Sequence, residues 1–192
     1  MLVQIILFVL DSVCGFLSLV LLVRFAMQWA RAPFRNPLGQ FIVAVTDWMV
    51  RPLRRLVPGL FGLDVASLLL AWLWQVVYQG IALGFSGVLL VVSLAPALVV
   101  SLLAALEVAK ISLYLVMGAV LVSAVFSWVN PYAPLADVFN TLTRPLLRPF
   151  RRVIPPVGGV DLSPLALLLV LQIALFVVAS LRNGVLPLML LG

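Results

Sequence analysis

The stretch RPLRRLVPGLFGLD, residues 51–64, returns 97 positions later as RPFRRVIPPVGGVD, residues 148–161. Each copy begins with Arg-Pro, continues with a pair of arginines, and places a glycine two residues before an aspartate. Proline and glycine interrupt helices, so shared apolar composition does not explain their recurrence at matched positions. The two copies therefore predict that the chain repeats one structural unit.

The likeness extends well beyond this motif. Residues 37–75 align with residues 134–172 at the same spacing, and a further shift of two positions pairs LVRFAMQW at 22–29 with LVSAVFSW at 121–128. The predicted boundaries are 1–86 for the first repeat, 87–102 for a hydrophobic connector and 103–192 for the second repeat.

The composition predicts a membrane protein. The chain has 192 residues, of which 65% are hydrophobic and 9% are charged, whereas soluble domains are about 25% charged. Runs long enough to cross a hydrocarbon core about 30 Å thick lie at 2–23, 65–85, 111–129 and 162–181. A fifth apolar stretch, residues 87–106, has an interfacial, re-entrant or helix-extending role.

The arginines predict the orientation of the chain. One cluster lies between the first and second spans, and the other lies between the third and fourth. Short loops rich in Lys and Arg stay in the cytoplasm, so both clusters face the same side. We therefore expect four spans, with the arginine-rich segments in the cytoplasm and both termini outside.

Each arginine-rich segment also carries apolar residues at helical spacing, over 38–49 and 135–146. Such a helix lies at the lipid surface or packs on the protein's own helices, and both alternatives are open. The predicted fold is an all-α membrane protein of two parallel tandem repeats. Each repeat is a helix, a cytoplasmic amphipathic segment and a second helix, which gives about four transmembrane helices plus interfacial helices.

The repeated motif predicts a sharp corner before the second helix of each repeat. Proline ends a helix, glycine permits a tight reversal, and aspartate caps the next helix by accepting its free amides. The structural positions are Pro58, Pro155, Gly62, Gly159, Asp64 and Asp161.

The paired arginines have three alternative uses. They anchor the membrane interface, they pair with the corner aspartates, or they form a site for anionic lipids or partner proteins. The candidate lipid- or partner-binding residues are Arg51, Arg54, Arg55, Arg148, Arg151 and Arg152.

Catalysis has little support in the sequence. The chain contains no histidine and a single cysteine, Cys14, which excludes an internal disulfide, a Cys/His zinc site and bis-histidine haem ligation. The acidic residues are scattered, and Lys110 near Ser112 is a weak arrangement for a Ser/Lys pair. We expect no catalytic residues, no cofactor, no metal and no enzymatic activity.

Polar residues inside the spans favour a second functional class. Asp11 lies in the first span, Glu107 and Lys110 are three residues apart, and Gln75 recurs as Gln172. Ionisable residues in membrane spans mark ion or solute pathways, whereas glutamines more often join helices. An ion or osmolyte channel is therefore the alternative function.

The twin motifs, each preceded by a Trp-ended helix, resemble those of the YggT family of small bacterial integral membrane proteins, which has relatives in plastids. The likeness covers nearly the whole chain. The first copy departs from the fuller pattern, since Gly59 stands where the second copy has Pro156 and Ser67 stands where it has Pro164. The resemblance implies a location in the bacterial inner (plasma) membrane, and links to osmotic or ionic stress and to the cell envelope. A plastid relative is similar to an assembly factor for haem attachment to a cytochrome b subunit.

The favoured function is a non-enzymatic scaffold or assembly factor for membrane protein complexes, because the recurring polar residues form no reactive cluster. The expected partners are anionic lipid headgroups and other membrane proteins, and we expect no nucleic acid. Self-association is left open.

Overall fold

A computed structural model describes residues 1–57, 63–86, 96–130, 132–133, 135–154 and 161–190. The predicted corner residues Pro58, Gly62, Pro155 and Gly159 lie outside these ranges. The described helices are α1 Leu2–Trp29, α2 Pro37–Leu56, α3 Val65–Ser86, α4 Pro96–Val129, α5 Ala136–Val153 and α6 Ser163–Leu190.

Four of these helices, α1, α3, α4 and α6, are long and apolar enough to cross a membrane. The helical architecture and the four spans confirm the predicted fold class. The apolar stretch at 87–106 extends the third span over its described part, because α4 already begins at Pro96. With 34 residues, α4 is about 51 Å long, which exceeds the hydrocarbon thickness.

The two repeats lie side by side and point the same way. Within the repeats α1 packs along α3 and α4 packs along α6, while α3 and α4 join the two units. The arginine-bearing helices α2 and α5 share one end of the bundle, because Ile42 of α2 packs in one cluster with Val138 and Leu142 of α5. We call this the arginine end of the molecule.

The start of α2 is fixed by local chemistry. Asn36 accepts a hydrogen bond from the Gly39 amide at 2.8 Å, and Pro37 occupies the first turn, where a missing amide donor costs nothing. Gly39 is required here because a Cβ at this position would lie 2.5 Å from the carbonyl oxygen of Phe34. The chain can therefore turn tightly from α1 into α2.

The structure combines the two alternatives for the amphipathic helix α2. Ile42 and Met49 are buried against the protein's own helices, while Phe41 and Trp48 are exposed on the other side of the apolar stripe. One edge of α2 therefore holds the bundle, and the other presents large apolar side chains to the surroundings.

Candidate functional site

The first repeat builds a charged network at the arginine end, which we call the first corner. Arg24, near the end of α1, donates to Thr46 Oγ1 at 2.7 Å and to Asp47 Oδ1 at 3.0 Å. Its Nε lies 3.4 Å from Asp64 Oδ2, so one guanidinium joins α1, α2 and the residue before α3. Thr46 in turn donates to the Ile42 carbonyl at 2.6 Å, which uses both roles of its hydroxyl.

Asp64 is the centre of the first corner. Arg54 grips it with two donors, Nε to Oδ1 at 3.1 Å and Nη2 to Oδ2 at 2.5 Å. Ser67 donates its hydroxyl to Oδ2 at 2.6 Å, and its amide lies 3.4 Å from Oδ1 at the start of α3. The same carboxylate therefore caps the membrane helix and fastens α2 to it.

The side chains of this network differ widely in their exposure to solvent. The side chains of Arg24 and Asp64 are 6% and 1% exposed, whereas Arg51, which pairs with Asp47 at 2.7 Å, is 78% exposed. Burial alone raises the pKa of Asp64, but hydrogen bonds from Arg54 and Ser67 and the charges of Arg54 and Arg24 lower that pKa below its ordinary value. Asp64 therefore stays charged in the folded protein.

The second repeat builds a reduced version, the second corner. Arg151 donates to Asp161 Oδ2 at 2.8 Å, and Asp161 Oδ1 accepts the Ser163 amide at 2.9 Å. Ser123 stands where the first repeat has Arg24, and it donates to Asn140 Oδ1 at 2.7 Å. Asp161 is 40% exposed, so this corner meets solvent where the first corner is closed.

A row of arginines distinguishes α5 from α2. Arg144, Arg148 and Arg152 are spaced four residues apart and are all exposed, so they form one edge of the helix. In α2 the first of these positions is Asp47, which neutralises Arg51 one turn later. Among the described residues, no carboxylate lies within salt-bridge distance of Arg144, Arg148 or Arg152. We call these three residues the α5 ridge.

The structure divides the six candidate arginines into two groups. Arg51, Arg54 and Arg151 each pair with an aspartate. No carboxylate of the described chain is within 4.0 Å of the other three, Arg55, Arg148 and Arg152. The sequence reasoning missed Arg24 and Thr46, although Thr46 recurs as Thr143, and Arg24 is the one charge in the helix stretch LVRFAMQW.

The polar residues inside the spans occupy different environments. Gln75 is buried and donates to Ser18 Oγ at 3.0 Å, which joins α3 to α1. Its counterpart Gln172 is exposed on α6. At the other end of the bundle, Glu107 binds Lys110 at 2.5 Å and Arg182 at 2.8 Å.

The arginine end presents groups that can bind anions. Over the described ranges, no group of three or more His, Cys, Asp or Glu side chains is arranged to hold a metal ion. The corner carboxylates are held by guanidinium groups. The guanidinium groups of the α5 ridge, which pair with no carboxylate in the described ranges, present donors suited to phosphate or carboxylate oxygens.

Comparison with known proteins agrees with the duplicated architecture. The CCB3/YggT family model matches residues 3–85 and again residues 102–182. An uncharacterized protein of Pseudomonas aeruginosa is 38% identical over 168 residues, covering 86% of this chain and 84% of the relative.

Two further relatives are covered to a similar extent. The uncharacterized YggT of Escherichia coli K12 is 38% identical over 168 residues, which cover 86% of this chain and 85% of that protein. A Haemophilus influenzae protein is 31% identical over 163 residues, 84% of each chain. No solved structure matches the chain. With both repeats matched by one family model and most of each relative covered, the chain belongs to the CCB3/YggT family.

Proposed function

We propose that the protein is a non-enzymatic scaffold of the bacterial inner membrane that binds anionic lipid headgroups at its arginine end and holds other membrane proteins during assembly. The α5 ridge carries this proposal. Three exposed arginines one helical turn apart repel one another, so their spacing costs stability in the absence of an anion. A phosphate-bearing headgroup would offset that repulsion with charge-assisted hydrogen bonds.

The paired corners support the scaffold part of the proposal. Arg54 and Arg151 fasten α2 and α5 to the residues that precede α3 and α6, so both amphipathic helices are held against the membrane helices. The exposed Phe41 and Trp48 of α2 add apolar contacts at the same end. Aromatic side chains of this kind favour the membrane interface, so α2 and α5 together present a charged and aromatic surface to lipids.

The orientation of the arginine end is part of the proposal. In a background in which Cys14 is replaced by serine, cysteines introduced at Arg55 and at Arg152 are expected to react with a membrane-impermeant thiol reagent only after the inner membrane is permeabilised, because arginine-rich segments stay cytoplasmic. Labelling of both sites in intact spheroplasts would show that the arginine end faces the outside, which contradicts the proposed orientation. Labelling of one site alone would contradict parallel repeats in the membrane.

Lipid binding is tested by comparing two triple variants that remove equal charge. Replacing Arg144, Arg148 and Arg152 by glutamine is expected to abolish most retention of phosphatidylglycerol, because the free donors are lost. Loss of three phosphate contacts, each worth about 1.5 kcal/mol or more as charged hydrogen bonds, would weaken binding about a thousandfold or more. Native mass spectrometry of the purified protein, titrated with phosphatidylglycerol, measures the number of bound lipids.

The matched control replaces the paired arginines Arg51, Arg54 and Arg151 by glutamine. We expect this control to retain more phosphatidylglycerol than the ridge variant but to unfold at a lower temperature, because its arginines hold the corners. Equal lipid retention by the two variants would show that total charge, and not the ridge, governs binding. Unchanged retention by the ridge variant would reject the proposed site.

A further inference from the structure

The junction between the repeats has a well-defined face on α3. Trp72 donates its indole Nε1–H to the Ser101 carbonyl of α4 at 3.2 Å. Leu83, with Val76 beside it, packs in a cluster with residues of α4, and a Cβ on Gly80 would meet Val100 at 3.9 Å. We define the α3 junction face as Trp72, Val76, Gln79, Gly80 and Leu83.

The equivalent face of α6 is not covered by any described helix. At the repeat spacing of 97 residues, the positions equivalent to the α3 junction face are Leu169, Ile173, Phe176, Val177 and Ser180. Every one of these five side chains is exposed, although Gln79 and Leu83 are buried in the first repeat. The contrast is large, since Gln79 is 4% exposed and its counterpart Phe176 is 74% exposed. We call this set the α6 open face.

The opposite half of the junction, on α4, also has an uncovered equivalent among the described residues. Leu103 packs in a cluster with Leu83 of α3, Val108 packs in a cluster with Ala71 of α3, and Ala104 between them is buried. The stretches LVRFAMQW and LVSAVFSW are 99 residues apart. At that spacing the equivalent positions on α1 are Gln4, Ile5 and Val9, which are all exposed. We call this set the α1 open face.

The chain therefore carries one completed junction and both halves of a second one. Exposed apolar side chains alone would not demand a partner in lipid, because lipid tails are as apolar as leucine. The inference depends instead on equivalent positions in the two repeats, since the corresponding positions of α3 and α4 already pack together inside the molecule. Each open face also carries one polar side chain, Ser180 or Gln4, and polar side chains can join helices in membranes by hydrogen bonds.

We propose that copies of this chain associate head to tail, with α1 of one copy occupying on α6 of the next the place that α4 occupies on α3. This interface goes beyond the scaffold function, since it specifies a second copy as the occupant of the α6 open face. The repeats are parallel, so every copy keeps one orientation in the membrane. A head-to-tail contact closes into a ring when the rotation between copies completes a circle.

Cysteine crosslinking between two differently tagged copies tests this contact. With Cys14 replaced by serine, one copy carries Gln4→Cys and the other carries Ser180→Cys. These positions correspond to Leu103 and Leu83, which share one cluster at the existing junction. A short bismaleimide crosslinker applied to native membranes is expected to give a product that contains both tags. Native mass spectrometry of the protein without substitutions is expected to show more than one chain.

Leu181→Cys is the matched control for Ser180→Cys. Leu181 is also exposed and is the next residue along α6, but its counterpart Gly84 has open space where a Cβ would project. The control copy is expected to lose the product that contains both tags. Equal crosslinking by the two positions would overturn the proposal as random collision. Crosslinking of Ser180→Cys only to itself would indicate back-to-back pairing and would also overturn it, as would a mass of one chain throughout.

Discussion

Asp64→Asn is expected to lower the free energy of unfolding by about 3–5 kcal/mol, because it leaves the buried Arg24 and the Arg54 donors facing an uncharged amide. Asp161→Asn, the same change at the equivalent position, is expected to cost about 1 kcal/mol or less, because exposed ion pairs are screened by water. Both amides can still accept a hydrogen bond from the following helix, so capping is preserved in each variant. Unfolding of the purified protein in mixed micelles with increasing sodium dodecyl sulfate measures the difference.

The charge on Asp64 also predicts a pH dependence of stability. The pKa of Asp64 is lowered in the folded protein, by Arg54, Ser67 and Arg24 acting against burial. A lowered pKa contributes stability that is present above the unfolded value, about 3.9, and is lost as the pH falls through the lower folded value. The original protein is therefore expected to lose stability on acidification from pH 6 to pH 3. Asp64→Asn is expected to lose less over the same range.

Two results would contradict this account of the corners. Equal destabilisation by Asp64→Asn and Asp161→Asn would show that burial does not distinguish the corners. An unaltered acid dependence in Asp64→Asn would assign the titration to a different carboxylate.

Arg24→Leu is expected to cost about 3 kcal/mol, the lower end of the range for breaking a buried ion pair. The loss affects two carboxylates and the Thr46 hydroxyl at once. It stays near the lower end because Asp47 keeps Arg51 and Asp64 keeps Arg54. The same detergent titration measures the change in unfolding free energy.

Arg51→Leu is the control, since it removes an arginine from the same network at its exposed edge. Its expected cost is below about 1 kcal/mol. If Arg51→Leu destabilised the protein as much as Arg24→Leu, the network would depend on total charge rather than on the buried guanidinium. If neither variant changed unfolding, the first corner would contribute nothing to holding α1, α2 and α3 together.

Much of the corner geometry could be predicted from the repeat. Arg54 and Asp64 are ten residues apart, as are Arg151 and Asp161, and one turn after a helix can bring such positions together. The pairing of arginines with corner aspartates was accordingly one of the three alternatives. Arg24 is forty residues before Asp64, and only the packing of α1 beside α3 brings them into contact.

The sequence also could not predict which of two equivalent residues is buried. Gln75 and Gln172 are identical in type and register, but Gln75 is buried against Ser18 while Gln172 is exposed. Burial depends on which element covers a helix face. The equivalent helices α3 and α6 have different neighbours, because α3 packs on α1 and α4 while α6 packs on α4 and α5. The duplication itself therefore predicts likeness where the structure shows asymmetry.

By itself the sequence determined the tandem repeat, the four membrane spans and the charged ends of the amphipathic helices. These features follow from apolar run lengths, helical periodicity and the recurrence of breakers, all of which are local along the chain. Only the tertiary structure decided that the first corner is closed and the second is open. Closure requires Arg24 of α1 to reach both Asp47 of α2 and Asp64 before α3. In the second repeat Ser123 and Arg144 stand at the positions of Arg24 and Asp47, so the described residues of that corner contain no buried guanidinium.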